Sequence, residues 1–297
     1  MALPSTLSGA GLGLVAFGAY SAYDVSAKLL GGAYHPLQII AAASLMTMPL
    51  LLIYALLDRG SGTLRPVRPG LMALRAAGTI LNFVTGVTAF TLIPLAEAYV
   101  IFFTMPLFIS LLAIPVLGER FGPVRGAAVI LGLVGVVIAL EPTATDLGLG
   151  HALALGGSLI GAMNYVIIRK TGAVERTAVM LIWPQLTLLL VVAPTMPLVY
   201  RPMPVEHLGV AALMAAVLML GMTAIIGAYR RAPAIVVAPM QYSQIAWAAI
   251  FGALLFGEAM TLRSMVGMVL IAAAGVIVVA RQDRPKVVAV LPEKTSS

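Results

Sequence analysis

The fold of this chain is decided by residues 92–122, LIPLAEAYVIFFTMPLFISLLAIPVLGERFG, an apolar segment that is interrupted by proline and ends at a Gly-Glu-Arg corner. A second segment of this kind occupies residues 231–260, RAPAIVVAPMQYSQIAWAAIFGALLFGEAM. A shift of 139 positions places Gly118 on Gly257, and a glutamate follows each of these glycines. A repeat of this kind predicts two structurally equivalent halves.

The composition excludes an ordinary soluble domain. The chain has 297 residues, of which 61% are hydrophobic and 10% are charged, whereas soluble domains carry roughly 25% charged residues. The absence of cysteine rules out disulfides, thiol nucleophiles and thiolate metal sites. The net charge of +7 does not indicate nucleic-acid binding, because the basic residues lie between apolar runs and do not form one aromatic-rich face.

Ten apolar runs predict an all-α integral membrane protein, because about 20 helical residues cross the hydrocarbon core and unpaired strands are excluded from it. The two expected five-helix repeats are residues 8–140 and 149–280, followed by a polar cytoplasmic tail, 281–297. The predicted spans are 8–30, 36–57, 70–92, 95–117, 124–140, 149–168, 179–199, 206–229, 234–256 and 262–280.

The distribution of basic residues predicts the orientation of the chain. With the N-terminus inside, all but three of the 18 basic residues, Arg75 among them, fall in the cytoplasmic group, and the exceptions are Lys28, Arg201 and Arg263. This asymmetry follows the positive-inside rule and predicts that both termini are cytoplasmic.

An odd number of spans in each repeat has a geometric consequence. The second half must enter the membrane from the opposite side, so the two halves form an inverted repeat. The substrate site of such a protein is expected near the bilayer midplane, between the halves. One chain can enclose that site, and we therefore expect a monomer in a lipid bilayer.

At this level of detail the chain resembles the drug/metabolite transporter superfamily, in particular its ten-helix EamA-type exporters. The resemblance covers residues 7–280 and rests on two corresponding segments, each followed by a glycine-rich helix. These features are residues 94–119 with Gly126, Gly132 and Gly135, and residues 233–258 with Gly267 and Gly275.

The resemblance implies a transporter of the inner membrane that exports small metabolites. Length and the aromatic residues of the first and fourth spans are most similar to the YddG-type amino-acid exporters, which favours aromatic or other apolar amino acids as substrates. The chain departs from the family pattern in its second span, where Ala43 and Ser44 occupy the place at which an arginine is common. No role that depends on that arginine is transferred.

Asp24 and Lys28 are charged residues within or at the end of the first span and lie on one helical face. Charged groups in membrane spans are expensive and are often functional. Asp24 could bind the ammonium group of a substrate or take a proton. Alternatively, the two residues form a structural ion pair in which Lys28 extends to the interface.

Other polar and aromatic residues recur at helical spacing in the third, fourth, sixth and ninth spans. They could line a cavity, or they could serve in helix packing and interfacial anchoring. We predict a single cavity lined by spans 1, 3, 4, 6 and 9, with spans 5 and 10 outside it. The predicted substrate-binding residues are Phe17, Tyr20, Asp24, Asn82, Tyr99, Phe103, Asn164, Gln241, Tyr242 and Gln244.

Three other functional classes are less compatible with the sequence. A membrane-embedded metalloenzyme is disfavoured because His35, His151 and His207 lie at helix ends or in loops without ligand spacing. No nucleotide-binding glycine loop appears in the sequence, so an ATP-driven pump is not expected. We predict no cofactor. A channel or a non-transporting scaffold fits an inverted repeat less well than alternating access does. An exporter of cationic compounds with this same fold remains the main alternative.

Overall fold

A computed structural model describes residues 5–58, 63–93, 95–119, 122–140, 147–257 and 262–280. These residues form helices and short connections, without a strand in the described ranges. The helices are α1 (Ser5–Gly31), α2 (Pro36–Leu57), α3 (Pro69–Leu92), α4 (Leu95–Phe102), α5 (Met105–Leu117), α6 (Pro123–Leu140), α7 (Leu149–Thr171), α8 (Thr177–Val192), α9 (Met196–Val199), α10 (Val205–Arg231), α11 (Ala234–Val237), α12 (Ser243–Phe256) and α13 (Leu262–Ala280).

Each predicted span coincides with one helix or with a broken helix. The fourth span comprises α4 and α5, the seventh comprises α8 and α9, and the ninth comprises α11 and α12. Short 3₁₀ turns, Ala193–Thr195 and Ala238–Tyr242, join the parts of the last two. Proline occupies the first turn of α5 and of both 3₁₀ turns, where its missing N–H prevents an uninterrupted α-helix.

Within the described residues, six helical stretches are long and apolar enough to cross a membrane, which makes this a multi-pass membrane protein. Two shorter apolar helices, Gly126–Ile138 and Met265–Ile277, lie within α6 and α13. The six stretches are Pro36–Leu57, Ala98–Leu117, Leu149–Thr171, Thr177–Val199, Val205–Arg231 and Ala234–Leu255.

The repeat is visible in the backbone. Gly118 and Gly257 both adopt the left-handed conformation, with φ of 68° and 64°, and each ends a helix. Glycine suits these positions because a side chain is strained at positive φ. The two corners therefore have the same local structure. The glutamate that follows the second corner, Glu258, lies outside the described residues.

Helix packing follows the same repeat. The shift of 139 positions relates α1 to α7 and α3 to α10. Extensive contacts join α1 to α10 and α3 to α7, two interfaces that this relation exchanges. Helices α6 and α13, also related by the shift, pack against each other. The packing agrees with two equivalent halves, and their inverted arrangement stays a prediction.

Loops predicted on one side of the membrane contact each other. On the predicted cytoplasmic side, the Glu175 carboxylate accepts hydrogen bonds from the backbone of Val67 (3.1 Å) and Arg68 (2.6 Å). On the opposite side, the Tyr34 hydroxyl lies 2.7 Å from Nδ1 of His207. Contacts between loops of the same predicted side are expected if successive helices cross the membrane in alternating directions. Which of the two sides faces the cytoplasm stays a prediction.

The first Gly-Glu corner joins the two halves. Oε1 and Oε2 of Glu119 accept hydrogen bonds from the backbone N–H groups of Ala234 (3.0 Å) and Ile235 (3.2 Å), at the beginning of α11. Its Oε1 also lies 3.3 Å from Nε of Arg169. Glu119 is therefore a helix-capping residue.

Candidate functional site

A cavity of about 360 Å³ lies inside the bundle, between helices of both halves. Helices α1, α2, α3, α5, α7, α8 and α10 contribute to its wall. Apolar side chains form most of the surface, and a small number of polar groups interrupt it. The lining residues are Tyr20, Tyr23, Ile40, Ser44, Arg75, Thr79, Asn82, Met105, Gly161, Asn164, Tyr165, Ile168, Pro184, Gln185, Leu188, Leu218, Met222 and Ile225.

Arg75 is the charged residue of this wall. It lies in α3, is 7% exposed, and donates a hydrogen bond from Nη1 to the backbone carbonyl of Met180 in α8. Its Nε is buried and has no acceptor among the described residues. The sequence-based count placed Arg75 with the cytoplasmic charges. The structure places Arg75 inside α3 and in the wall of the cavity, and the side of the membrane to which it is nearer stays a prediction.

Three amide side chains face the same cavity. Asn82 donates a hydrogen bond from Nδ2 to the backbone carbonyl of Gly157 (2.7 Å), which ties α3 to α7. The buried Oδ1 of Asn164 has no donor in the described part of the chain. The buried Nε2 of Gln185, a residue that is 5% exposed, likewise has no acceptor there. Two of these amides thus retain hydrogen-bonding capacity.

Close approach of α3 to α7 depends on glycine. A Cβ atom on Gly78 would lie 2.7 Å from Oδ1 of Asn164. A Cβ atom on Gly161 would lie 3.1 Å from Nδ2 of Asn82 and against the flexible end of Met105. These glycines therefore bring the polar side chains of the two helices to one place, as small residues do in membrane bundles.

Aromatic rings form another part of the site. Phe17 is 1% exposed and packs against Tyr20 and Tyr165, with ring centroids 6.0 Å and 6.5 Å away. Tyr165 also stacks on Tyr229 at 5.5 Å. Of the predicted residues, Tyr20 lines the cavity and Phe17 supports it from the core.

Asp24 and Gln244 form a separate pair. Nε2 of Gln244, in α12, donates a 2.8 Å hydrogen bond to Oδ2 of Asp24, in α1. The backbone carbonyl of Gln244 also accepts from the Ser21 hydroxyl at 3.4 Å. Neither Asp24 nor Gln244 belongs to the lining of the cavity. The pair links the two halves, and its part in substrate binding stays a prediction.

The remaining predicted residues lie nearer to α6 and α13. Phe103 packs between Tyr99 and Tyr242, with centroid distances of 6.4 Å and 6.3 Å. Tyr242 also donates a hydrogen bond to the carbonyl of Val129 at 3.3 Å. Gln241 is 8% exposed, with a buried Oε1 that has no donor among the described residues. None of these four residues lines the cavity.

The structure therefore brings together only part of the predicted set. Asn82, Asn164 and Tyr20 meet at the cavity together with Arg75, which lies in the expected third span, whereas Gln185 and other lining residues join them from helices that were not expected. Spans 2, 7 and 8 contribute, whereas the ninth span does not. A signal for Arg75 was present in the sequence, because it begins a polar stripe in α3 that continues through Asn82.

Comparison with known proteins supports this architecture. The sequence model of the EamA-like transporter family matches residues 7–140 and 148–280, one match in each half. The S-adenosylmethionine uptake transporter of Rickettsia bellii is 27% identical over 286 residues, which cover 94% of this chain and 95% of that protein. A riboflavin transporter of Vibrio cholerae is 28% identical over 170 residues, 56% of each chain.

Other matches are shorter or structural. The alignment with the S-adenosylmethionine uptake transporter of Rickettsia conorii, at 30% identity, spans about half the length of both proteins (49% of each). One crystal structure superposes with a TM-score of 0.76 over 92% of this chain and 95% of its own, at 22% identity. This likeness shows a shared fold.

Proposed function

Because the chain belongs to the EamA-like transporter family, we propose that it is a secondary transporter of the bacterial inner membrane that exports small metabolites, amino acids in particular. The observation that carries this proposal is the cavity of about 360 Å³ between the two halves. Its volume falls within the range of small-molecule sites. Enclosed polar groups inside a membrane bundle mark a substrate pathway.

Breaks in two helices offer a physical route for alternating access. The fourth span is interrupted between Phe102 and Met105, and the ninth is interrupted by the 3₁₀ turn Ala238–Tyr242. Such discontinuities lack part of the regular i to i−4 hydrogen bonding, so they bend more easily than intact helices. Motion of one half against the other at these points would open the cavity to each side in turn.

The names of the relatives widen the set of substrates to be tested. S-adenosylmethionine carries an amino-acid group, and riboflavin is a neutral compound without one. Both names describe the relatives. The protein of Rickettsia bellii is called an uptake transporter, and the protein of Vibrio cholerae is called a transporter. Net direction in a secondary transporter follows the gradients available to it, so export and uptake are distinguished by experiment.

An exporter of cationic compounds is the second candidate, and the cavity disfavours it. Among the described lining residues the charged side chain is Arg75, a cation. A positively charged ligand would be repelled in a medium of low dielectric constant. The carboxylate of Asp24 lies outside the cavity wall and is already hydrogen-bonded to Gln244.

Counterflow into proteoliposomes tests the proposed function. Purified protein is reconstituted into liposomes. The proteoliposomes are loaded with one unlabelled compound at a time, from a panel of amino acids, S-adenosylmethionine, riboflavin and a cationic drug. We expect labelled amino acids to accumulate above the level in protein-free liposomes. Accumulation of the cationic drug alone would favour the second candidate, and accumulation of none of the compounds would contradict the proposal.

Orientation is tested with reporter fusions in a bacterial host. A fusion after Ser61 is expected to report the cytoplasm, and a fusion after Thr145 the opposite side. Both termini are expected to report the cytoplasm. Identical results for Ser61 and Thr145 would contradict the predicted alternation of ten spans.

A further inference from the structure

Among the described residues that line the cavity, none supplies a carboxylate that would compensate the charge of Arg75. Its described partner is the neutral backbone carbonyl of Met180. The neighbouring lining residues Tyr20 and Tyr165 are phenols, which are uncharged at neutral pH. A buried cation without a counter-charge is costly, and more so within a membrane span. The cavity is therefore an electropositive site.

The described carboxylates that could neutralise Arg75 are engaged elsewhere. Glu175 binds the backbone at the beginning of α3. Glu119 binds Arg169 and the beginning of α11. Asp58 lies 3.3 Å from Nη2 of Arg176. Asp24 accepts a hydrogen bond from Gln244. An anion that enters the cavity thus meets a guanidinium whose described partner is a backbone carbonyl, while these four carboxylates have other partners.

The free hydrogen-bonding atoms of the cavity define the ligand further. Nε of Arg75 and Nε2 of Gln185 are donors without acceptors, and Oδ1 of Asn164 is an acceptor without a donor, in the described part of the chain. Arg75 and Gln185 are both more than nine-tenths buried. Two donors and one acceptor on residues that line one cavity match an oxyanion that is linked to an N–H group.

We propose that the substrate presents a carboxylate to Arg75 and Gln185 and an amino or amide N–H to Asn164. Guanidinium groups bind carboxylates through paired, charge-assisted hydrogen bonds. The inference rests on the proposed transport function and specifies its chemistry. Metabolites that contain an amino-acid group have both features, whereas compounds without charged groups and purely cationic compounds lack the carboxylate.

The two related helix interfaces differ at positions of the proposed anion site, although the fold is repeated. The position related to Arg75 by the shift of 139 is Met214, which is fully buried in an apolar cluster with Leu30 and Tyr34. The position related to Asn164 is Val25. At these two positions the related interface of α10 with α1 therefore lacks the residues of the anion site, and we expect the cavity to hold one carboxylate.

Efflux of matched compounds tests the proposal. Proteoliposomes are loaded with an equimolar mixture of triplets, each containing a free amino acid, its carboxamide and the corresponding decarboxylated amine, and efflux is followed by mass spectrometry. Apolar, aromatic and polar amino acids are all represented. We expect the carboxylate member of transported triplets to leave at least about tenfold faster than the carboxamide, which corresponds to about 1.4 kcal/mol.

Three variants relate this preference to the named residues. Arg75→Gln and Gln185→Glu are expected to reduce the preference for the carboxylate to less than about twofold, because the first removes the positive charge of the cavity and the second adds a negative charge to it. Arg75→Lys retains the positive charge without the forked geometry of the guanidinium group, and it is expected to keep part of the preference for the carboxylate. Met214→Leu is the matched control in the second half and should behave as the wild type. Gln185→Glu remains informative if Arg75→Gln does not fold.

The outcomes separate the two proposals. Equal efflux of carboxylate and carboxamide from the wild type would overturn the carboxylate site and leave the transporter function intact. A full preference in the folded Arg75→Gln or Gln185→Glu variant would overturn it as well. Absence of efflux for every triplet, relative to protein-free liposomes, would contradict the proposed amino-acid transport and the carboxylate site together.

Discussion

Two helix interfaces of this protein have the same architecture and different chemistry: α3 packs against α7, and α10 packs against α1. In the first, Arg75 and Asn82 of α3 face the cavity. The corresponding residues of α10 are Met214 and Gly221. There the ring of Tyr20 lies so close to Gly221 that an added Cβ would be 2.7 Å from its Cε1. One interface is polar, and the other is filled by apolar and aromatic side chains.

The difference teaches which part of a repeat determines the fold and which part determines the site. Apolar periodicity and small residues at helix contacts recur in both halves, and they are sufficient for packing in lipid. An unpaired charge would not stabilise either interface, because its removal from water is expensive. Arg75 departs from the repeated pattern at a structural cost, and we therefore assign it to substrate recognition.

The largest effect on stability is expected when an arginine is introduced into the apolar interface between α10 and α1. Met214→Arg places a guanidinium in a fully buried cluster beside Leu30 and Tyr34. The substitution should lower stability by about 3–5 kcal/mol, because the charge has no partner there. Size-exclusion chromatography and thermal unfolding in detergent measure the loss. Met214→Leu, which conserves volume, should cost less than about 1.5 kcal/mol. A folded and equally stable Met214→Arg protein would contradict the comparison.

The loop ends of the two interfaces give a smaller contrast. Glu175 binds the beginning of α3 with two charge-assisted hydrogen bonds, and Tyr34 binds His207 of α10 with a neutral one. Glu175→Gln should therefore cost about 1.5–3 kcal/mol, and Tyr34→Phe about 0.5–1.5 kcal/mol. Thermal unfolding of the two variants checks this order, and a larger loss for Tyr34→Phe would reverse it.

Helix spacing at the cavity can be altered at one glycine. Gly78→Ala would bring a Cβ to within 2.7 Å of Asn164 Oδ1 and should displace that amide. We expect transport to fall about tenfold, equivalent to about 1.4 kcal/mol, with little change in expression. Gly70→Ala in the same helix is the matched control, because its Cβ meets nothing within 4 Å. Equal counterflow by the two variants would show that this contact does not matter for the site.

The smallest effect concerns the hydrogen bond that joins α3 to α7. Asn82→Ala leaves the carbonyl of Gly157 without its described side-chain donor. A neutral hydrogen bond contributes about 1 kcal/mol, so transport should fall about fivefold. Counterflow at matched protein levels provides the measurement. Wild-type transport by this variant would mean that the polar interface tolerates loss of its cross-link and that Asn82 is not required for binding.

The sequence alone determined the helical spans and the two glycine corners. Helix boundaries in lipid follow from hydrophobicity and backbone hydrogen bonding, which are local properties. Gly118 and Gly257 were identified as equivalent positions from the sequence repeat, and they have the same backbone conformation. Asn82 and Asn164 were predicted to face a cavity for a similar reason, since an amide in an apolar span needs a polar environment.

The tertiary structure alone decided which helices enclose the cavity. Arg75 lies in the second turn of α3, and by sequence it counted as a charge of the cytoplasmic side. Its burial depends on α8, whose residue Met180 is 105 positions away and accepts its hydrogen bond. Gln185 enters the site in the same way, from a helix whose orientation the sequence does not encode locally. Contacts between distant helices depend on the packing of the whole bundle, and helical periodicity cannot specify them.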